Sequence, residues 1–442
     1  MPQTYPQVRR TTGGPKVEAT QAAVLDQVGH LQDEATQLCQ DIVRINTVNP
    51  YSGDRDTGLE KHGQAYLEPI LDSMGARTTL FEPPPDIYQR MGVLGPKGRS
   101  FKDRPNLVAE FDLGGEGPTI ILNGHMDTVG VSDMTIDPFS GEVKDGAIWG
   151  RGSSDCKGGL TTAVIATKAL LPYQDQLAGR IIFQSVVDEE CSGSGAGTLA
   201  CCDAGYRGHA AVVVDGNDLQ ITLGCGGCLT ADLYVQGRAG HAARGGISAI
   251  DKGLVVKSAI DAFKAQRERR FPDARVNLGI FDAGIHAAVV PSRAYLSLNI
   301  VYKLEEAEAA QRAGHGWNGL PVRRAFEETI RAHEQDDSWL ADHPAQIEWI
   351  KDLIPYQTPR NACVVQGFVE AFRAALGREP ELHTIPAWLD AAYLPHFAQT
   401  PVVVFGPGLE AACHASDEHV PIGNLIGASK VLAAYLYQQL KR

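Results

Sequence analysis

The sequence predicts an α/β fold, in which a mostly parallel sheet is flanked by helices and carries an inserted α+β unit of β-α-β-β-α order. Apolar runs of strand length alternate with helical patterns between residues 106 and 214, which is typical of parallel sheets covered on both faces. After Leu223 the pattern changes and two strands follow each other without a helix between them, which indicates a compact α+β unit. A chain of 442 residues is long enough for two or three domain-sized units.

The individual elements follow from local patterns. Apolar residues that recur every three or four positions predict helices, and apolar runs that end near turn residues predict strands. The predicted helices are 24–45, 59–74, 160–171, 197–204, 247–269, 322–333, 362–376 and 425–440. The predicted strands are 106–111, 119–122, 181–187, 210–214, 229–235, 276–281, 294–302 and 401–405.

We divide the chain into three parts on this basis. Residues 1–16 contain three prolines but no apolar core segment, so we expect a flexible tail and not a secretory signal peptide. Residues 17–223 together with 340–442 are expected to form the main domain. Residues 224–339 are expected to form the inserted domain.

Composition argues against several classes of function. The formal net charge is −13 and no dense Lys/Arg block occurs, which disfavours nucleic acid and anionic membranes as partners. No apolar stretch approaches the roughly 18 residues that cross a bilayer. The nine cysteines, in a chain without a signal segment, are interpreted as reduced thiols. We therefore expect a cytoplasmic protein.

Residues with metal-binding chemistry follow the predicted strands. His125 and Asp127 come directly after the strand 119–122 and are two residues apart, so both side chains point to one side. A metal-bound imidazole usually donates its second ring N–H to a carboxylate, so the pair makes chemical sense. A histidine alone is as often an ordinary structural residue.

Other acidic and histidine side chains occupy comparable positions. The additional candidate ligands are Asp155 in the glycine-rich loop 150–159, Glu189 and Glu190 after strand 181–187, Asp215 after strand 210–214, and His414 after strand 401–405. Ligands collect beyond the carboxyl ends of parallel strands, so these groups are expected to converge. Each is more often structural when taken alone, but together they predict a metal site. Imidazole and carboxylate ligands suit zinc, with cobalt or manganese tolerated.

One run of acids strengthens this prediction. Asp188, Glu189 and Glu190 are adjacent at a strand end, and three neighbouring carboxylates repel one another unless something positive neutralises them. A bound metal is the simplest source of that charge.

Six motifs in order, GHMDTV, GRGSSDCKGG, DEECSGSG, VVVDG, GRAGHAA and CHASDEHV, resemble the co-catalytic zinc peptidase and deacylase family. Acetylornithine deacetylase, succinyl-diaminopimelate desuccinylase, aminoacylase and glutamate carboxypeptidase belong to it. The resemblance spans the chain from about residue 45 and implies a zinc-exopeptidase-like fold with two zinc ions per subunit. It implies that His125, Asp155 and Asp215 hold one ion while Asp155, Glu190 and His414 hold the other, with Asp155 as the bridge.

The same resemblance implies roles for neighbouring residues. Asp127 would orient His125, and Glu189 would be the general base. His241 of the inserted domain would reach the active site of a partner subunit and stabilise the oxyanion, so the resemblance implies a homodimer formed through a lid and dimerisation domain. The alternative for His241 is an exposed loop histidine.

Two positions depart from the family pattern. Ala288 stands where relatives usually carry a substrate-binding asparagine, and Val301 stands where they carry an arginine that binds a substrate carboxylate. Recognition of an α-carboxylate is therefore open. The candidate substrate-binding residues are Arg244, His286, Arg293, Gly406 and Gly408.

Some side chains near the expected site allow two interpretations. Cys156, Cys191 and Cys413 adjoin expected ligands, where they either pack or make the enzyme sensitive to thiol reagents. The tryptophans Trp317, Trp339 and Trp349 indicate either core packing or a bulky substrate group. Asp215 replaces a longer glutamate of many relatives, which leaves occupancy by a single ion open.

We therefore expect a dinuclear zinc amidohydrolase that cleaves the C–N bond of an N-acyl amino acid or small peptide by metal-activated water, with Glu189 as general base. One alternative keeps the site but takes a non-peptide amine or amide, such as an aromatic amine or a formylated pyrimidine. The other is a catalytically inactive member that binds a ligand or partner. The presence of Glu189 and of all five ligands argues against it.

Overall fold

The computed structural model describes residues 19–191, 193–216 and 218–442. The predicted tail, residues 1–16, lies outside these ranges. The α-helices of the described part are α1 (Ala19–His30), α2 (Gln32–Arg44), α3 (Glu60–Ser73), α4 (Ile87–Met91), α5 (Gly158–Leu170), α6 (Ala196–Asp203), α7 (Ala249–Arg270), α8 (Leu304–Arg312), α9 (Leu320–Gln335), α10 (Cys363–Leu376), α11 (Tyr393–Phe397) and α12 (Ile422–Leu440).

The β-strands follow the same chain order. They are β1 (Arg77–Phe81), β2 (Asn106–Asp112), β3 (Thr119–His125), β4 (Glu142–Lys144), β5 (Ala147–Trp149), β6 (Arg180–Val186), β7 (Ala210–Val213), β8 (Ile221–Cys225), β9 (Gly227–Gln236), β10 (Gly240–His241), β11 (Val276–Ala283), β12 (Val289–Val290), β13 (Arg293–Tyr302), β14 (Gln346–Leu353), β15 (Tyr356–Gln357), β16 (Leu382–Ile385), β17 (Val402–Val404) and β18 (His419–Pro421).

The large sheet has the strand order β1-β2-β6-β3-β7-β17-β8-β15, with β16 beside β8. Its centre is parallel, because β6, β3, β7 and β17 pair in parallel with one another. The strands on either side of this centre include antiparallel pairs, so the sheet as a whole is mixed. The predicted α/β class with helices flanking a sheet is confirmed.

Helices cover both faces of the large sheet. Successive strand residues point to opposite faces, so Ile120 and Leu122 pack in one apolar cluster and Ile121 in another. The first cluster includes α5, α10 and α12, and the second includes α6 and α11. Burial on both faces explains why the central strands are nearly continuous apolar runs. No helix in the described part of the chain is long and apolar enough to span a bilayer.

The smaller sheet has the order β11-β13-β9-β14 and is antiparallel throughout. Along its strands, buried and more exposed residues alternate, because one face of the sheet is covered by helices and the other is not. In β9, Leu229, Ala231, Leu233 and Val235 are buried in a third apolar cluster that includes α7 and α9. Tyr234, which points the other way, is 43% exposed.

Two details differ from the predicted domain limits. The first limit, after residue 223, falls inside β8, which belongs to the large sheet. The second limit assigns β14 to the main domain, whereas β14 pairs with β9 of the smaller sheet, and this assignment is corrected. A register shift between Trp349 and Lys351 interrupts the alternation that would have revealed a strand. The division into domains otherwise stays a prediction.

Candidate active site

The central parallel strands bring the candidate ligands to one edge of the large sheet. His125 is the last residue of β3, Glu190 follows β6, and Asp215 follows β7. His414 lies in the loop after β17. Because these four strands are parallel neighbours, their carboxyl ends meet at the same edge. We refer to His125, Asp155, Glu190, Asp215 and His414 as the ligand cluster.

Asp155 lies between the two histidines of the ligand cluster. It lies in the segment Ser153–Lys157 directly before α5, where its own backbone is not helical, with φ −134° and ψ 91°. Its Oδ1 is 2.9 Å from Nε2 of His125, and its Oδ2 is 3.3 Å from Nε2 of His414. The same nitrogen of His414 is 3.1 Å from Oε1 of Glu190. Each oxygen of one carboxylate therefore faces a different imidazole.

Three sets of donor atoms in the described chain lie close enough to hold a metal ion, with the atoms of each set within 4.8 Å of one another. The sets are Asp155, Glu190 and His414; His125, Glu189 and Glu190; and His125, Cys156 and Asp215. The first set equals the ligands implied for one zinc ion. The third contains two of the ligands implied for the other ion, with a thiol nearby. Carboxylate, imidazole and thiolate donors suit zinc, so the residues present fit this metal.

The cysteines beside the ligands differ from one another. Cys156 is buried and its Sγ lies 3.5 Å from the carbonyl oxygen of Val214, while burial raises the pKa of its thiol well above the usual value. The Sγ of Cys413 donates to the carbonyl oxygen of Leu409 at 3.3 Å. Cys191 is half-buried. Cys156 thus belongs to a possible donor set. Of the two interpretations of this cysteine, packing and sensitivity to thiol reagents, its burial agrees with the first and its position near the ligands agrees with the second.

The ionisable groups of the site have strongly altered proton affinities. Burial alone would raise the pKa of Asp155, but hydrogen bonds from His125 and His414 bring it below its usual value. Burial and the charge of Asp155 raise the pKa of Glu190 to about 7. Burial also holds the pKa of Glu189 well above its usual value. Hydrogen bonds with Asp155 and Glu190 raise the pKa of His414 to about 11. A bound cation would relieve the repulsion among these acids.

Asp127 supports the site through both its main chain and its side chain. Nδ1 of His125 is 2.9 Å from the main-chain oxygen of Asp127 but 3.9 Å from its Oδ1. The carboxylate instead accepts hydrogen bonds from the main-chain N–H groups of Glu189 at 3.3 Å and Glu190 at 3.1 Å. Asn49 donates to it as well, at 2.8 Å. Asp127 therefore contacts both the His125 ring and the loop that carries the acids.

Arginines neutralise one of the three adjacent acids. Oδ1 of Asp188 accepts from Arg99 at 3.0 Å and from Arg104 at 3.1 Å, and Oδ2 accepts from Tyr88 at 3.0 Å. The expectation that a metal neutralises all three acids is thus wrong for Asp188. The arginines are distant in sequence, so no local pattern could reveal this pairing.

Sequence reasoning also missed a buried carboxylate that holds the Asp155 loop. Oε1 of Glu418 accepts from the main-chain N–H groups of Ser154 at 2.9 Å and Asp155 at 3.1 Å. Oε2 of Glu418 accepts from Arg151 at 2.6 Å. Glu418 follows His414 by four residues in the motif CHASDEHV, which indicates that it lies near the site, but its pairing with Arg151 joins segments that are distant in sequence.

A cavity of about 210 Å³ lies against the ligand cluster. Asp155, Asp215 and His414 line it together with Glu189 and Cys413. Its other lining residues are Gly216, Thr222, Ile385, Ala387, Trp388, Leu389, Val404 and Glu410. A larger depression of about 590 Å³ near the C-terminus is lined by none of the candidate ligands among the described residues. We therefore take the smaller cavity as the substrate site.

The candidate substrate-binding residues do not line this cavity in the same chain. His241 is part of the short β10–β12 ribbon, and its side chain is exposed. Arg244, His286 and Arg293 are exposed as well. Their roles stay predictions, and the role predicted for His241 involves a second subunit.

Gly406 and Gly408 have a packing reason to be glycine. A Cβ at Gly406 would collide with the main chain of Asp215, and a Cβ at Gly408 would collide with that of Ser154. Their small size lets the loop after β17 lie directly against the loops that carry two of the ligands. A role in substrate binding stays a prediction.

A model of the peptidase family M20/M25/M40 matches residues 121–438. The chain belongs to this family. The resemblance inferred from the six motifs is thus confirmed, and M20 proteins are metal-dependent hydrolases.

This chain is similar to two curated bacterial enzymes, among other relatives. It is 26% identical to N-formyl-4-amino-5-aminomethyl-2-methylpyrimidine deformylase of Halalkalibacterium halodurans, covering 94% of this chain and 96% of the relative. It is 29% identical to succinyl-diaminopimelate desuccinylase of Methylobacterium radiotolerans, covering 90% and 94%. The M20 metallo-carboxypeptidase Sso-CP2 of Sulfolobus solfataricus has a similar fold, with a TM-score of 0.69, 15% identity, and coverage of 91% of this chain and 98% of that one.

Proposed function

We propose that this protein is a dinuclear zinc amidohydrolase that cleaves the C–N bond of an N-acyl amino acid or a small peptide. The observation that supports this most is the position of the Asp155 carboxylate, with one oxygen toward His125 and the other toward His414. A bridging carboxylate needs this arrangement. The two curated relatives are named as a deformylase and a desuccinylase, which also supports hydrolysis of an amide bond.

We assign His125, Asp155 and Asp215 to one zinc ion and Asp155, Glu190 and His414 to the other. When bound, such ions lower the pKa of water and polarise the scissile carbonyl group. Asp127 and Glu418 keep the ligands in place, because their carboxylates hold the main chain beside Glu190 and Asp155.

Glu189 is the proposed general base. It lines the cavity next to the ligand cluster, and its main-chain N–H is fixed by Asp127. Burial raises its pKa well above the usual value of a glutamate, and a general base works best when its pKa is close to the operating pH. In the proposed reaction Glu189 takes a proton from the attacking water and delivers it to the leaving nitrogen.

The inserted unit is proposed to form a homodimer and to supply His241 to the partner's cavity. β11 is an edge strand of the smaller sheet, and edge strands pair readily with other chains. Several apolar side chains on this unit are exposed, namely Ile250, Leu254, Ile280, Phe281, Ile285 and Val289. His241 is exposed and lies outside the lining of its own cavity, so it needs a partner to act at such a site.

A second candidate substrate is a non-peptide amine, such as an aromatic amine or a formylated pyrimidine. Val301 and Ala288 occupy the positions at which an arginine and an asparagine would bind a carboxylate-bearing substrate. The relative that covers 94% of this chain is named for a formylated pyrimidine amine.

All nine cysteines are free, which supports a reducing compartment such as the cytoplasm.

The test is hydrolysis by purified, metal-loaded protein. We expect release of amine from at least one member of a panel of N-formyl, N-acetyl and N-succinyl amines and amino acids. Elemental analysis should find about two zinc ions per subunit, and Glu189→Gln should keep the zinc but lose the activity. An inactive wild-type protein with full zinc content would contradict the proposal and favour a ligand-binding member.

A further inference from the structure

The cavity beside the ligand cluster has two walls of different chemistry. One wall consists of the ligands and Glu189. The second wall is mainly apolar and comes from Ile385, Ala387, Trp388 and Leu389 together with Val404 of β17. A substrate whose amide lies at the first wall can bring its remaining part onto the second.

Trp388 is the largest side chain of the apolar wall, and its ring is held in place. Its Nε1 donates a hydrogen bond to the carbonyl oxygen of Ile354 at 3.0 Å. Its ring packs edge-on against Tyr393, with 5.3 Å between the ring centroids. A ring fixed in this manner offers a flat apolar surface at little entropic cost.

The junction of β8 and β9 contacts the segment that carries Trp388, because Gly226 donates its N–H to the carbonyl oxygen of Ile385 at 3.0 Å. Val301 lies near this junction, since its Cγ1 would be 3.3 Å from a Cβ at Gly226. Val301 is not part of the cavity lining, so the apolar surface offered to a substrate is that of the lining residues themselves.

Outside the ligand cluster and Glu189, the one charged side chain among the described residues that line the cavity is an acid. The acids Asp155, Glu189, Asp215 and Glu410 line it, whereas no lysine or arginine does so among the residues that the structure describes. The proposed metals and the general-base role account for the first three. Glu410 is exposed, and its carboxylate has no role in the ligand cluster.

The lysine that interacts electrostatically with Glu189 is Lys351 of β14, and it is not part of the lining. It is half-buried near Arg99 and Asp188, on the side of the site where arginines already bind an acid. A substrate carboxylate that lies beyond the ligand cluster would thus meet Glu410 with no lysine or arginine of the described lining beside it.

We propose that this cavity selects N-acyl amines in which the amine side carries an aromatic ring with an amino or amidino substituent and no carboxylate. The ring packs on Trp388, and the substituent donates hydrogen bonds to Glu410. This inference rests on the proposed function, because the cavity is the same site, and it narrows the substrate class.

Matched substrates test the charge preference. N-acetyl-4-amidinobenzylamine and N-acetyl-4-carboxybenzylamine differ only in the para substituent, and the unsubstituted N-acetylbenzylamine is the neutral reference. With zinc-loaded enzyme we expect kcat/KM for the amidino compound to exceed that for the carboxy compound by at least about tenfold. Glu410→Gln should reduce this ratio severalfold, because it should lower kcat/KM for the amidino compound more than for N-acetylbenzylamine. The control Glu379→Gln, which changes an exposed acid paired with Arg373, should keep the ratio.

Binding of benzamidine, measured by titration calorimetry on the zinc-loaded protein, tests the same contacts without catalysis. We expect Trp388→Ala and Glu410→Gln to weaken binding at least about fivefold. Trp388→Phe should keep most of the affinity, since it retains an aromatic surface. Trp339→Ala, which removes a ring stacked on His343 away from the cavity, should change nothing.

The outcomes separate the two proposals. Hydrolysis with equal or better rates for the carboxy compound, or benzamidine binding that neither Trp388→Ala nor Glu410→Gln weakens, would overturn the selectivity and leave the amidohydrolase proposal intact. Absence of hydrolysis both of these compounds and of every member of the N-acyl panel would overturn the proposed function, while benzamidine binding would still decide the role of Trp388 and Glu410. If Trp388→Ala does not fold, Trp388→Leu and Glu410→Gln test in its place whether these two side chains determine the selectivity.

Discussion

The two largest sheets of this protein bury their residues differently, and the candidate residues beside them differ accordingly. The large sheet is covered on both faces, and its parallel strands end at one edge with side chains that are mostly buried and held by hydrogen bonds. The smaller sheet is covered on one face, and His241, in the β10–β12 ribbon of the same inserted unit, is exposed. The comparison indicates that the large sheet gathers the candidate ligands within one chain, whereas the role proposed for His241 needs a partner.

The change with the largest expected effect is Asp155→Asn. The asparagine keeps the shape but loses the charge that both imidazoles face, so both metal positions should fail. We expect kcat to fall by at least about 10⁴-fold, as for other groups that work as a unit. Zinc content by elemental analysis should fall in parallel, with unchanged circular dichroism. A variant that keeps both zinc ions would show that the large sheet does not assemble its site around Asp155.

His241→Ala tests the role proposed for the inserted unit. Loss of a hydrogen-bond donor to a developing oxyanion should lower kcat by about 10²–10³-fold, while zinc content stays at the wild-type level. Mixing His241→Ala with Glu189→Gln subunits should restore activity, because one site of the mixed dimer then has both intact residues. Failure of the mixture to recover activity, with dimers present by sedimentation, would assign His241 to its own chain or to no catalytic role.

Asp127→Ala should have a smaller effect than loss of a ligand. Its carboxylate holds the main chain of Glu189 and Glu190, so its removal loosens the site without removing a donor. We expect a loss of about 10–100-fold in activity or zinc affinity, against abolition of one metal position by His125→Ala. Asp175→Ala, an exposed acid on the surface, serves as the control. Equal damage from the two site variants would mean that the role of Asp127 is misassigned.

The smallest expected effect is on stability: removal of the metal should make the melting temperature depend on pH, through a carboxylate at the edge of the large sheet. The pKa of Glu190 is raised to about 7 in the folded protein, so the folded state binds a proton that the unfolded state releases at lower pH. This contribution to stability is present below the usual pKa of a glutamate and is lost as the pH rises through about 7. The metal-free protein should therefore melt at least about 2 °C lower at pH 8 than at pH 5. The zinc-loaded protein should lack this trend, and a trend of the same size with zinc bound would contradict the explanation.

Sequence patterns predicted the large sheet better than its surroundings. Continuous apolar runs identify strands such as β3 and β6, because both faces are buried, and their ends locate His125 and Glu190. The helix predicted over 24–45 is two helices, α1 and α2, which meet at Leu31. An apolar face continues across that junction, so periodicity alone does not show the break. β14 escaped detection because its bulge interrupts the alternation.

The parts of the site that sequence reasoning missed depend on contacts between distant segments. Glu418 pairs with Arg151, and Asp188 pairs with Arg99, across separations that no local pattern encodes. Trp388 was not singled out, whereas Trp349, which was, packs edge-on against Phe326 in the core. Burial decides which tryptophan meets a substrate, and burial follows from the tertiary fold.

The position of Glu418 in the chain has a consequence for how the enzyme matures. Its carboxylate holds the N–H groups of Ser154 and Asp155, and His414 comes from the same late segment. A nascent chain that has left the ribosome only as far as β8 already contains His125, Asp155 and Asp215, but it lacks the groups that fix the Asp155 loop. We therefore expect metal capture to follow synthesis of the final segment, as a post-translational event and not as a template for folding the first half of the chain.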